Sequence, residues 1–223
     1  MIVDTAYSIM KFVINKNEQG YFSPANFNTI FPAAELQYLD YLLGEFQQYQ
    51  YGRPVPRVQF GMNETIRQSL TPLIGPPVPL IINAAGLAPY PDDFQQVDAI
   101  YFGTPQERVR FVSQDRLYSF LNSVIDPVAS NPIYLIQNNG FQFYPITLAT
   151  ASISYVKTPP KTFWASTPDV NGRPIYDSTN SIDPIWFDTD IFDVIARALK
   201  MVGVNLQAPA VMQYATELKN VGQ

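Results

Sequence analysis

Apolar residues at the start of the chain recur every three or four positions, as they do along one face of a helix. This spacing predicts a helix over residues 4–15. A longer helix is predicted from Ser23-Pro24, where serine caps the helix and proline occupies its first position. It should run to about Gln50. Pro32 is expected to kink this helix or to split it after about two turns.

From about residue 79 the pattern changes to short β-branched and aromatic runs separated by turn residues, which is typical of strands. These runs cover residues 80–82, 99–102, 109–112, 133–136, 141–144 and 152–156. Asn138-Asn139-Gly140 lies between two of them and predicts a hairpin. Short helices are predicted over residues 62–70, with Asn63 as the candidate cap, and within residues 114–122.

Residues 158–186 are rich in Pro, Asp, Asn, Ser and Thr, and Trp164 and Trp186 lie near their ends. A loop of this length without secondary structure is uncommon in a compact domain unless it has a role. Two interpretations stay open. The segment is either an arm that packs on a neighbouring subunit or a surface loop that the two tryptophans hold in place.

The end of the chain again has helical spacing. A helix is predicted with Asp188 or Thr189 as its cap and Gly203 at its stop, followed by another over residues 208–220. The order of helices, strands and helices predicts an α+β fold, a helical frame with a central antiparallel β insertion. The expected parts of one structural unit are an N-terminal helical part (1–78), a β-rich insertion (79–158), a proline-rich arm or loop (159–186) and C-terminal helices (187–223).

Composition favours a protein that packs against other proteins. Charged residues make up 15% of the chain, against about 25% in an average globular protein, while aromatic residues reach 14%. A neutral, aromatic surface suits subunit interfaces, although a monomer with a neutral polar coat has the same composition. The candidate subunit-interface residues are Phe163, Trp164, Trp186, Tyr144 and Tyr155.

The chain contains no histidine and no cysteine, and its net charge is −5. Ser-His-Asp and Cys-His catalysis, disulfides and cysteine-ligated metals are therefore excluded. Glycine-rich phosphate loops are not found, and the acidic balance argues against binding to nucleic acid through phosphates. The sequence predicts a protein that is not an enzyme and that has no cofactor.

The remaining candidates for chemistry are carboxylates. Asp92-Asp93 is interpreted as a turn or cap rather than a cation site. Four aspartates, Asp183, Asp188, Asp190 and Asp193, cluster near the start of the penultimate helix, where their charge complements the helix dipole. No metal site is predicted. No apolar run is long enough to span a bilayer and no basic leader is present, so a soluble protein without membrane contact is expected.

Several phrases of the sequence carry a resemblance to a known group of proteins. They are "FVINKNEQGYFSPANFN" leading into "AAELQYLDYL", the strand phrases "NPIY" and "FYP", the segment "KTPPKTFW", and the tail "IFDVIARALKMVGVNLQAPAVMQYATELKN". Their layout resembles structural proteins of tailed phages that infect Bacteroidota, notably the crAss-like phages. In those phages such proteins look like head–tail connector, or neck ring, subunits.

The resemblance implies a virion protein that is made in the host cytoplasm and assembled into the neck. It would form a homo-oligomeric ring, twelvefold like the portal, contact the portal and other neck or tail proteins, and let genomic DNA pass without specific binding. No catalytic residue is carried over. Two alternatives stay open: another virion component, such as a tail or capsid accessory protein, or a hydrolase that uses two carboxylates alone.

Overall fold

The long helices among the described residues lie toward both ends of the chain, and the strands lie between them. The computed structural model describes residues 1–16, 21–47, 66–103, 107–121 and 127–203. The helices are α1 (Val3–Lys16), α2 (Pro24–Gln47), α3 (Leu117–Leu121) and α4 (Asp188–Val202), with a 3₁₀ turn at Thr71–Leu73. The fold is α+β, as the sequence predicted.

The chain divides into two compact units. The helical unit comprises Met1–Pro72 together with the chain from Pro159 onward, and the β unit is Leu73–Thr158. Residues 66–70 are helical within the first unit. The predicted cap Asn63 and the predicted helix over 208–220 lie outside the described residues. Among the residues described, no helix combines the length and apolarity that crossing a membrane requires.

In the helical unit, α4 packs against α2 and α1. Each helix buries residues spaced three or four apart, so its apolar stripe faces the unit's core. The buried side chains include Val3, Ala6, Met10 and Ile14 of α1, Phe27, Phe31, Ala34 and Leu39 of α2, and Ile191, Val194, Ile195 and Leu199 of α4.

Of the kink or split predicted at Pro32, the split is wrong, because α2 runs through Pro32 from Pro24 to Gln47. Proline inside a helix removes one backbone hydrogen bond and costs about 3 kcal/mol. Buried side chains precede and follow Pro32, among them Phe31 and Ala34. Packing on both sides of the proline therefore holds the helix together.

The ends of α4 agree only partly with prediction. Gly203 caps its C-terminus in the left-handed conformation, with φ of 89°, as predicted. The predicted N-cap is wrong. Phe187 holds that position and makes no side-chain cap hydrogen bond, while Asp188 and Asp190 lie in the first turn. There their charge complements the helix dipole without capping the backbone.

The β unit contains two four-stranded sheets. One has the order β1-β8-β3-β4 and the other β2-β7-β6-β5. The strands are β1 (Val78–Ile81), β2 (Leu87–Ala88), β3 (Phe94–Phe102), β4 (Glu107–Arg108), β5 (Arg110–Phe111), β6 (Ile133–Gln137), β7 (Gly140–Tyr144) and β8 (Thr150–Lys157). Within these sheets β5 and β6 pair in parallel, and the other described pairs are antiparallel.

Both sheets contribute to one apolar core. Its buried members include Leu80, Ile100, Ile153 and Tyr155 from the first sheet and Ala88, Tyr134, Phe141 and Phe143 from the second. The hairpin predicted at Asn138-Asn139-Gly140 is confirmed, since Gln137 pairs with Gly140 and β6 continues into β7. The strand periodicity of this region therefore reflects sheets with one buried face.

Candidate functional site

The segment of residues 159–186, here called the strap, has structure of its own. It contains a two-stranded ribbon of β9 (Ser166–Pro168) and β10 (Pro174–Tyr176). Both strands of the ribbon are largely exposed. On either side of the ribbon the strap returns to the helical unit and buries Trp164 and Trp186. The strap therefore has an attached part and an exposed part.

Trp164 forms the first attachment. Its backbone N–H donates to Asn28 Oδ1 at 2.8 Å, and Asn28 Nδ2 donates back to the Trp164 carbonyl at 3.0 Å. The indole Nε1–H donates to Asp4 Oδ1 at 2.9 Å. The ring lies between Tyr7, with centroids 4.7 Å apart, and Tyr176, at 5.7 Å. The side chain is 4% exposed, so helices α1 and α2 of the same chain hold it.

Trp186 forms the second attachment and is 3% exposed. Its ring meets Tyr38 of α2 edge to face, with centroids 5.1 Å apart. The guanidinium of Arg197 in α4 lies over the Tyr38 ring at 5.6 Å. Trp186 Nε1 is buried without a hydrogen-bond partner. A buried donor left unpaired costs free energy, so this end of the strap is less completely satisfied than the Trp164 end.

Glu35 lies under the strap and is 1% exposed, although glutamate is rarely buried. The Thr162 hydroxyl donates to its Oε1 at 2.8 Å. Burial raises the pKa of Glu35 to about 7, while hydrogen bonds from the Thr162 side chain and backbone oppose the rise. The Trp186 N–H also favours the charged form, without reaching hydrogen-bond geometry.

Sequence reasoning missed Glu35. A signal was available, because Glu35 stands four residues after Phe31 and four before Leu39, within the apolar stripe of α2. A glutamate in such a stripe is either at the edge of the buried face or enclosed by another segment. The segment that encloses Glu35 is more than a hundred residues away in sequence, so the helix pattern alone did not reveal it.

Several apolar side chains of the strap are exposed among its polar residues. Phe163 and Ile182 pair through two backbone hydrogen bonds, of 3.1 and 2.8 Å, and both side chains are exposed. Val170 at the ribbon tip is 96% exposed, and Ile175 of β10 is also exposed. Phe163 and Ile182 are thus exposed apolar side chains whose backbone is held by pairing.

The five predicted interface residues differ in their surroundings. Phe163 is 45% exposed. Trp164, Trp186 and Tyr155 are buried within their own units, and Tyr144 is half-buried beside Val112, Leu117 and their neighbours. Among the five, Phe163 therefore presents the largest part of its side chain to a neighbour. The interface assignment itself stays a prediction.

Of the paired aspartates in the sequence, Asp93 forms a structural contact. Asp93 accepts a hydrogen bond from the Tyr155 hydroxyl at 2.7 Å and lies 3.4 Å from Lys157 Nζ. The Tyr155 hydrogen bond and the Lys157 charge lower the pKa of Asp93. Burial, together with Asp93, raises the pKa of Tyr155 to about 12. With its pKa raised this far, the Tyr155 hydroxyl stays protonated at neutral pH and donates its hydrogen bond to Asp93. This hydrogen bond joins β8 to the turn before β3.

The aspartates near α4 have separate partners. Asp183 Oδ1 accepts the backbone N–H of Val3 at 2.8 Å, so it satisfies the first turn of α1 from the far end of the sequence. Asp188 pairs with the amino group of Met1, and Asp190 accepts from Ser69 at 3.5 Å. Across the described ranges, no group of three or more acidic residues is arranged to hold a metal ion.

Comparison with protein-family models and with curated proteins gave no match to this chain.

Proposed function

We propose that this protein is a structural virion subunit of a tailed phage, which forms a ring at the head–tail junction through which DNA passes. The observation that carries the proposal is the exposure of Phe163 and Ile182, two apolar side chains of the strap that lie on paired backbone. A subunit that closes a ring needs such a surface, because each copy must present a patch that its neighbour covers.

The remaining exposed surface supports the same function. Large apolar side chains are also exposed outside the strap, including Phe12 of α1, Phe111 of β5 and Tyr118 of α3. Low charge and exposed aromatic residues are typical of surfaces that become the core of an interface. The acidic net charge suits a channel through which DNA must slide without binding to the channel wall.

Light scattering and native mass spectrometry of the recombinant full chain test ring formation. Phe163→Ser is expected to shift the protein from a ring to monomers, since it removes exposed apolar area without touching the buried attachments. Thr179→Ala is the matched control, because Thr179 is an exposed residue of the same strap. Circular dichroism of both variants checks that the fold is retained.

Imaging of intact particles tests the location. A twelvefold ring of this chain between portal and tail is the expected result. A threefold or fivefold position would instead assign the protein to the capsid, and a free monomer absent from particles would exclude every virion function. The carboxylate-only hydrolase has no favouring observation among the described residues.

A further inference from the structure

Glu35 is placed where its charge decides how the strap is held. Its carboxyl lies between α2 and the strap, with the Thr162 hydroxyl 2.8 Å away and Trp186 beside it. When protonated, the group is a neutral side chain with a hydrogen-bond partner. When ionised, it is a buried charge beside two residues of the strap, Thr162 and Trp186. Charge in such surroundings is costly unless water or a cation reaches it.

The other ionisable groups near Glu35, within the part of the chain that the structure describes, do not compensate for this charge. Tyr38 lies one turn further along α2, and burial together with Asp190 and Asp193 of α4 raises its pKa to about 12, so it stays neutral. Arg197 of α4 lies over the Tyr38 ring. Burial raises the pKa of Glu35, whereas the hydrogen bonds from Thr162 and the nearby Trp186 N–H lower it; no charged side chain among the described residues contributes.

We propose that Glu35 is a proton-controlled latch for the strap: the protonated carboxyl holds Thr162 and Trp186 against α2, and loss of the proton loosens this end of the strap so that water reaches the charge. The Trp164 end does not respond, because Asn28 and Asp4 fix it through three hydrogen bonds that involve no buried charge change. This inference stands whether or not the proposed virion function is right.

The direction of the response follows from the protonation equilibrium. The pKa of Glu35 is raised from an ordinary 4.5 to about 7, so the attached strap takes up a proton more readily than the loosened strap. Lowering the pH therefore favours attachment, and raising it through about 7 favours loosening. The response falls near neutral pH, where few other side chains titrate in a chain without histidine.

The chain carries its own reporter, because its two tryptophans both lie in the strap. Fluorescence emission and acrylamide quenching of the full chain, measured between about pH 5 and about pH 8, follow their exposure. The wild type is expected to show a red shift and faster quenching as pH rises, with a midpoint near 7. Glu35→Gln is expected to lose this change and to keep the low-pH signal throughout.

A second variant shifts the midpoint instead of removing it. Thr162→Val removes the hydrogen bond through which the carboxyl holds the strap, so the attached state is weaker and its transition is expected at lower pH than in the wild type. Asp40→Asn is the matched control, since Asp40 is an exposed carboxylate on the same helix. Its titration should match that of the wild type.

Tryptic cleavage after the exposed Lys161 provides an independent readout within the strap. At about pH 8 it should be faster in the wild type than in Glu35→Gln, and comparison at one pH removes the protease's own pH dependence. The latch is excluded if the wild-type signal is flat, or if Glu35→Gln titrates like the wild type. If Glu35→Gln does not fold, the latch is equally excluded when the fluorescence transition of Thr162→Val has the same midpoint as that of the wild type.

Discussion

Gly140 ends the turn between β6 and β7 in a backbone conformation that other residues rarely adopt, with φ of 151°. A Cβ atom at this position would lie 2.1 Å from the carbonyl oxygen of Ala88. Gly140→Ala is therefore expected to lower the free energy of unfolding by about 2 kcal/mol or more, from strain and from displacement of β2. Urea denaturation measures the change.

Gly172 at the tip of the strap ribbon provides the control. Its φ is 72°, but a Cβ atom there would meet nothing within 4 Å. Gly172→Ala should therefore cost only about 1 kcal/mol, which is the backbone term alone. Equal losses in the two variants would show that the contact with Ala88 relaxes at little cost.

The aromatic residues show where sequence reasoning reaches its limit at this scale. Phe163 and Trp164 are neighbours in sequence, yet the first is exposed and the second is enclosed by Tyr7 and Tyr176. Composition predicts that the aromatic residues lie either in cores or in interfaces, since burial of an aromatic ring is favourable in both environments. Only the folded chain separates the two, because the residues that enclose Trp164 come from distant elements.

At the scale of elements, the N-termini of α2 and α4 differ in their capping. The Ser23 hydroxyl accepts the Asn26 N–H at 3.2 Å at the start of α2, whereas Phe187 at the start of α4 provides no side-chain acceptor. Ser23→Ala is expected to lower the free energy of unfolding by about 1 kcal/mol, and Phe187→Ser to raise it by about 0.5–1 kcal/mol.

Thermal or urea denaturation compares both variants with the wild type. The Phe187 backbone has φ of −63° and ψ of 153°, which already suits a capping residue. A serine there needs no rearrangement to reach the free N–H groups of the first turn. A loss of stability in Phe187→Ser would mean that the exposed phenylalanine packs on its surroundings more strongly than a cap stabilises the helix.

Local signals predicted many elements because they act within a few residues. The asparagine-asparagine-glycine turn and the stop at Gly203 are examples, and both are confirmed. The failures come from tertiary contacts. Packing on both sides of Pro32 keeps α2 whole, and Asp183 serves α1 rather than the helix that follows it. The burial of Glu35 belongs to the same class, since the strap that covers it is remote in sequence.

At the scale of the whole molecule, Glu35 and Asp93 give stability opposite dependences on pH. The raised pKa of Glu35 means that its contribution is fully present below about 4.5 and is lost as pH rises through about 7. The lowered pKa of Asp93 means that its contribution is present above its ordinary value of 3.8 and is lost as pH falls further. The free energy of unfolding is therefore expected to decline both as pH falls below the ordinary pKa of Asp93 and as pH rises through about 7.

The pH range in which Glu35 titrates gives the sharper test of this pH dependence. Between about pH 5 and about pH 8 the free energy of unfolding of the wild type should fall relative to Glu35→Gln by about 2–3 kcal/mol. Urea denaturation at several pH values measures the difference. Asp40→Asn should follow the wild type at each pH. Parallel curves for the wild type and Glu35→Gln would mean that the carboxyl is already solvated in the folded chain.

The pairing of β1 with β8 has a consequence for how such a chain can evolve. β1 begins soon after the chain enters the β unit, and β8 ends just before it leaves; a further bridge joins Ile74 to Val156. The entry and exit points of the β unit are thus held side by side by its own hydrogen bonds. A segment with adjoining ends can be gained, lost or exchanged in a single genetic event without stretching the polypeptide that receives it.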